Sequence, residues 1–86
     1  MTVSNQVTNS TITMPVLKIN NSGEAVRFLQ QILICYGYLN ADSFDAKFGA
    51  VTEKAVKNFQ QDYQLLADGV VGEKTWRALG SACRIS

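Results

Sequence analysis

Two stretches of this chain occur twice, and a chain that repeats itself at this scale folds as related units sharing one core. Ala25-Val26-Arg27-Phe28-Leu29-Gln30-Gln31 returns as Ala55-Val56-Lys57-Asn58-Phe59-Gln60-Gln61. Asp45-Ala46-Lys47-Phe48-Gly49-Ala50-Val51-Thr52 returns as Asp68-Gly69-Val70-Val71-Gly72-Glu73-Lys74-Thr75. The second pair reduces to Asp, two residues, an apolar residue, Gly, two residues and Thr, with an alanine three positions on at Ala55 and Ala78. Such a pattern describes a loop feeding a helix. The aspartate accepts loop N–H bonds in an Asx-turn, and Phe48 or Val71 plugs the core. Gly49 or Gly72 lets the chain turn sharply into the helix. Thr52 or Thr75 then stands at the third helical position, where its hydroxyl bonds back to the N-cap amide. Asp45, Gly49, Thr52, Asp68, Gly72 and Thr75 are therefore structural residues first. Gln30 and Gln60 hold matching places in the repeat and are expected to bond the preceding loops.

The helices follow from hydrophobic spacing. The first runs from about Gly23 to Tyr36, with Ser22 as N-cap, Glu24 in the first turn and Gly37 as a left-handed stop. Val26, Leu29, Leu33 and Tyr36 share one face of it, and Phe28, Ile32 and Cys35 make a second apolar stripe that needs its own cover. Candidates for that cover are the segment around Val16 and Leu17, the tail around Cys83 and Ile85, or a partner. The second helix runs from about Ala50 to Tyr63, with Val51, Ala55, Val56, Phe59 and Tyr63 inward and a Glu53–Lys57 pair outside. The third is short, about Glu73 to Gly80, with Trp76 and Leu79 inward and Glu73 paired to Arg77. Pro15 disfavours helix in the residue before it, so Met14–Ile19 is extended, lying across the helices without pairing in a sheet. The expected fold is all-α: a compact three-helix bundle with two long loops, Tyr38–Gly49 and Gln64–Gly72, and an internal pseudo-repeat. Residues 1–13, polar and rich in Thr, Ser and Asn, form a flexible N-terminal segment. The domain spans 14–80, and 81–86 are a C-terminal tail.

Composition narrows the chemistry. A net charge of +1 over 86 residues removes the electrostatic case for nucleic acid, and the third helix offers only Lys74, Arg77 and Thr75 to a DNA groove. No apolar run reaches the ~20 residues that cross a bilayer, so no membrane insertion is expected. Histidine is absent, which excludes His-based triads and His-containing metal sites. Cys83 has no histidine to activate it. Asp45 and Asp68 as an acid/base pair are explained more simply by their motif positions. No catalytic residue, metal or cofactor is expected. Cys35 and Cys83 lack the C-x-x-C spacing of zinc or redox sites, and sequence leaves a bridge and two free thiols both open. The N-terminus has neither the basic region nor the apolar core of a secretory signal.

The ordered motifs bear a resemblance. Gly23-x-Ala25-Val26-x-x-Leu29-Gln30-x-x-Leu33-x-x-x-Gly37-Tyr38, then Phe48-Gly49-x-x-Thr52-x-x-Ala55-Val56-x-x-Phe59-Gln60, then Asp68-Gly69-Val70-Val71-Gly72-x-x-Thr75-Trp76-x-x-Leu79 resemble, in order, the three-helix peptidoglycan-binding domain family. The likeness covers roughly Pro15 to Leu79. One departure is Asp45-Ala46, where the family has Asp-Gly; if that position needs positive φ, Ala46 strains it. Asp68-Gly69 keeps the family pair. The resemblance implies a non-catalytic module that holds a protein on cell-wall peptidoglycan (murein), usually appended to a hydrolase. The partners implied are murein and a cell-wall hydrolase domain in cis or in trans. The module is expected to be a monomer in the cell envelope or periplasm. A protein–protein adaptor built on the same fold is the alternative. Murein offers sugar rings, amides and carboxylates, so a binder needs aromatic faces, amide groups and a cation. Tyr38, Arg77, Trp76, Asn40, Asn58 and Gln60 supply these types near the loops. Trp76, Tyr36 and Tyr63 are expected mainly in the core.

Overall fold

The computed structural model describes residues 14–82, the side chains of 81 and 82 excepted. Three α-helices carry the fold: α1 (Glu24–Cys35), α2 (Ala50–Asp62) and α3 (Glu73–Ala82), with one 3₁₀ turn at Ala41–Ser43. The architecture is the expected all-α three-helix one, and α3 takes in two residues that the sequence reading assigned to the tail. The expectations for residues 1–13, Cys83 and Ile85 fall outside the described residues.

Periodicity placed most of the core correctly. Val26, Leu29 and Leu33 of α1, Ala55, Val56 and Phe59 of α2, and Leu79 of α3 are buried around the plugs Phe48 and Val71. Val51 and Tyr63 depart from expectation, at 62% and 45% exposed. Val51 stands one residue before buried Thr52, so the inward turn of α2 starts at the threonine. The second stripe of α1 is covered only in part: Ile32 is buried, Phe28 stacks on Trp76 with ring centroids 6.0 Å apart, and Cys35 is exposed. Trp76 itself is core, and its indole N–H donates to the Pro15 carbonyl at 2.8 Å.

The extended N-terminal segment enters no sheet among the described residues, as expected, but it makes a backbone bridge that was not foreseen. Leu17 and Val71 exchange both backbone bonds (3.1 and 2.8 Å) in an isolated antiparallel bridge. Three residues on, Asn20 N–H donates to Phe48 O at 2.8 Å, and Phe48 N–H donates to Asn21 O at 2.9 Å. A plug residue must bring its peptide groups into the interior along with its side chain. One segment, bent by a turn at Ile19–Asn20, satisfies those groups for both repeats.

Each helix opens on a glycine. Arg27, Glu53 and Trp76 N–H groups donate to the carbonyls of Gly23, Gly49 and Gly72 at 3.0, 2.9 and 2.9 Å. Ser22 is therefore not the cap of α1; it forms a bridge with Lys47 instead, and Gly23 takes the cap position at φ 115. Gly49 at φ −102 is extended, and neither it nor Gly72 has positive φ. Their value is as tolerated N-caps, not as left-handed turns. Gly37 does end α1 at φ 85, as expected.

Candidate functional site

The two repeats converge on two buried glutamines. Gln30 donates from Nε2 to Asp45 Oδ1 (3.1 Å), Lys47 O (3.0 Å) and Thr52 Oγ1 (3.0 Å), and its Oε1 accepts from the N–H groups of Asp45 (3.2 Å) and Ala46 (2.9 Å). Gln60 donates to Asp68 Oδ1 (3.2 Å), Val70 O (3.0 Å) and Thr75 Oγ1 (3.0 Å), and accepts from Gly69 N–H (2.9 Å). Each amide thus ties the loop that follows its own helix, not the preceding one, to the first turn of the next helix. The Asx-turns are present, with Asp45 and Asp68 Oδ1 accepting from Lys47 N–H (3.0 Å) and Val70 N–H (2.9 Å). These bonds hold the Asp45 carboxyl below its ordinary pKa, the Lys47 N–H first and Gln30 second. The threonines do not bond back to the N-cap amide. Their hydroxyls accept from the glutamines, which in a buried site is the more demanding donor to satisfy.

The loops also share a backbone strain. Ala46 and Gly69 stand at matching positions with φ 62 and 76, so the position does need left-handed backbone and Ala46 is strained there. At Gly69 space is short as well: a Cβ would meet Glu53 Cγ at 2.8 Å and Lys57 Cε at 3.1 Å. Those two side chains lie over Gly69 and do not form the ion pair expected outside α2. The ion pairs of the described residues are Arg27–Glu24 at 3.6 Å and Arg77–Glu73 at 2.7 Å.

The ligand candidates do not come together in one place. Tyr38 joins an aromatic cluster on Phe59, which it meets edge-on at 5.5 Å, while Tyr36 and Tyr63 stack at 6.2 and 4.4 Å. Its hydroxyl donates to Asp62 Oδ2 at 2.7 Å. That bond, with lesser help from desolvation and the Asp62 charge, pushes the phenol up to about 12. Asn40 and Asn58 are exposed, on the loop after α1 and on α2. Trp76 is covered by Phe28 and the Pro15 carbonyl, and exposed Arg77 is paired with Glu73. Gln60 has its amide engaged at both ends and is 1% exposed, so it shapes a wall and offers no free group.

What the sequence reading missed is a concavity. A groove of about 490 Å³ lies between the end of α2, the loop after it and the start of α3, with Gln64, Leu66, Asp68, Val70 and Lys74 among its lining residues. Leu66 is 80% exposed, a large apolar side chain left in water. Lys74 makes no ion pair among the described residues, and the side-chain amide of Gln64 takes part in none of their hydrogen bonds. The first N–H of α3 to find an intrahelical acceptor is that of Trp76. The three before it lie in the opening turn, where the helix dipole favours an anion. The groove combines an apolar lip, a free amide, a free cation and helix N–H donors. No three His, Cys, Asp or Glu side chains of the described residues cluster as metal ligands, and no described helix is long and apolar enough to cross a membrane.

Comparison with known proteins supports the three-helix fold. Residues 22–79 match the family model described as "Putative peptidoglycan binding domain". The chain is 41% identical over 64 residues to the zinc D-Ala-D-Ala carboxypeptidase of Streptomyces albus G, covering 73% of this chain and 25% of that protein. Its fold is similar to the crystal structure of the SleB N-terminal domain, with TM-score 0.79 and 34% identity over 85% of this chain and 99% of that one. It is also similar to a peptidoglycan-binding protein from Clostridioides difficile solved with glutamine hydroxamate, with TM-score 0.73, 40% identity, and 78% and 41% coverage. The chain thus spans about a quarter of the carboxypeptidase it matches.

Proposed function

Because this chain belongs to the peptidoglycan-binding domain family and is a peptidoglycan-binding module, we propose that it fastens a larger protein to murein through the groove between α2 and α3. The observation that carries the groove is its chemistry. Leu66 supplies an apolar lip for a sugar or lactyl face, Gln64 an amide partner, and Lys74 with the N-terminus of α3 a seat for a stem-peptide carboxylate. Tyr38, Asn40, Asn58 and Arg77 lie outside the groove lining, and this reading gives them no ligand contact there.

Peptidoglycan-binding domains of cell-wall enzymes act outside the cytoplasm, and the matched carboxypeptidase is about four times the length of the aligned module. Its name points to a substrate at the D-Ala-D-Ala end of the stem peptide. The parallel reading here is that a hydrolase acting on murein, in cis or in trans, is the protein being held, in the envelope or periplasm. The module contributes attachment and no chemistry. Affinity of one small module is modest, and linkage to a second wall-binding or catalytic unit raises it through effective concentration.

Co-sedimentation of the chain with purified sacculi tests this. The wild type is expected in the pellet without lysing the sacculi. Lys74→Ala and Leu66→Ala are expected to shift it toward the supernatant with helical circular dichroism unchanged. Retention of the wild type in the supernatant at low salt, with sacculi of several wall chemistries, contradicts the reading and favours the protein–protein adaptor.

A further inference from the structure

Helices α1 and α2 close with the same device. Tyr38 N–H donates to Leu33 O at 2.8 Å and Gly37 N–H to Ile34 O at 3.0 Å; Leu65 N–H donates to Gln60 O at 2.8 Å and Gln64 N–H to Gln61 O at 3.1 Å. This is the paired bonding of a Schellman stop, whose second-last residue is left-handed and usually glycine. Glycine stands there in α1, as Gly37 at φ 85, but in α2 the residue is Gln64 at φ 60. A Cβ in that conformation crowds the following carbonyl, so Gln64 weakens a cap that glycine would close without strain.

The strain falls on a particular wall. Gln64 lines the groove and is exposed, and its side-chain amide is used by no hydrogen bond of the described residues. Gly37, its counterpart, is not among the residues lining this groove. Strain held at a concave site is an observation from which a function for the strained residue is inferred. A free carboxamide is one donor group and one acceptor on a single plane, the complement of a secondary amide.

We infer that Gln64 is a specificity-determining residue of the groove, whose carboxamide reads a secondary amide of the ligand: its NH₂ donates to the ligand C=O, and its Oε1 accepts the ligand N–H. The inference rests on the groove as the murein site. In murein this amide occurs both in the N-acetyl groups of the sugars and in the stem peptide. Gln64 stands where glycine would stop the helix without strain.

Binding and stability of Gln64→Gly, measured together, test it. Three probes are titrated by calorimetry: an N-acetylglucosamine oligosaccharide, a synthetic stem peptide, and a disaccharide-peptide fragment. Gln64→Gly is expected to melt higher, by about 4 °C, and to bind the disaccharide-peptide about thirtyfold more weakly, the loss of two hydrogen bonds. The arm that weakens in parallel, sugar or peptide, identifies which amide is read. A variant that melts higher and binds every probe as the wild type does overturns the inference while leaving the groove standing. A wild type that binds none of the three removes the groove as the murein site, and this inference with it.

Discussion

Exchanging the residues at the two matching left-handed positions is expected to move stability in opposite directions. Gly69→Ala places a Cβ at φ 76, 2.8 Å from Glu53 Cγ and 3.1 Å from Lys57 Cε. The left-handed conformation costs about 1–2 kcal/mol with a Cβ, and overpacking adds about 1–3 kcal/mol because Glu53 Cγ sits close to its own backbone and cannot swing away freely. Reduced freedom of the unfolded chain returns about 0.4–1 kcal/mol. The net loss is about 2–3 kcal/mol, a large share of the roughly 5 kcal/mol that holds a domain of this size. Ala46→Gly relieves the backbone strain at φ 62 and gives up the entropy advantage, a net gain of about 0.5–1 kcal/mol. Urea unfolding followed by circular dichroism reads both, with an unchanged slope as the check that the unfolded state is not at issue. A Gly69→Ala variant within about 0.5 kcal/mol of the wild type, or an Ala46→Gly variant that is less stable, would refute the equivalence of the two loops.

Gln60→Leu removes four hydrogen bonds, two buried and two part-buried, at about 1 kcal/mol each, and is expected to lower stability in urea unfolding by about 4 kcal/mol, most of what the domain has, whereas Thr75→Val, losing one, costs about 1 kcal/mol. Gly72→Ala is expected to shift stability by less than about 1 kcal/mol, since Gly72 lacks positive φ and a Cβ there meets nothing within 4 Å; a collapse of the thermal midpoint would show that the backbone there is misdescribed. Tyr38, pushed up to about 12 chiefly by its bond to Asp62, holds its proton more tightly folded than unfolded. Its contribution to stability is present below the ordinary phenol range near about 10 and is lost as pH rises through about 12. Tyrosinate absorbance is expected to show a late-titrating phenol that Tyr38→Phe removes.

The helices and their plugs were legible because helical spacing and an ordered repeat both specify burial. Val26, Leu29, Leu33, Phe59 and Leu79 needed no structure to be placed inside. Ala46 was legible as a candidate for strain through the resemblance, since the family has glycine at that position. The caps were not legible. Ser22 is a better N-cap residue than Gly23 by propensity, yet a bridge to Lys47 claims it, and no local rule contains that tertiary contact. The glutamine nodes were assigned to the wrong side of their helices, because sequence order says which residues match but not which loop folds back. Ligand candidates were chosen by side-chain type near loops, and type alone cannot report that Tyr38 spends its hydroxyl on Asp62; the i,i+4 pairing of Arg77 with Glu73 was legible and is present. The groove escaped notice because its signal is negative: an exposed leucine, an unpaired lysine and a glutamine where glycine fits better.

Amide chemical shifts of the isotopically labelled chain, followed while a soluble disaccharide-peptide fragment of murein is added, report where the ligand sits. Saturable shifts are expected at Gln64, Leu65, Leu66, Asp68, Val70 and Lys74, with the matching positions of the first loop, Asp45 to Lys47, little changed. Shifts that gather instead around Phe28 and Trp76, or no shifts at any concentration of the fragment, would contradict it.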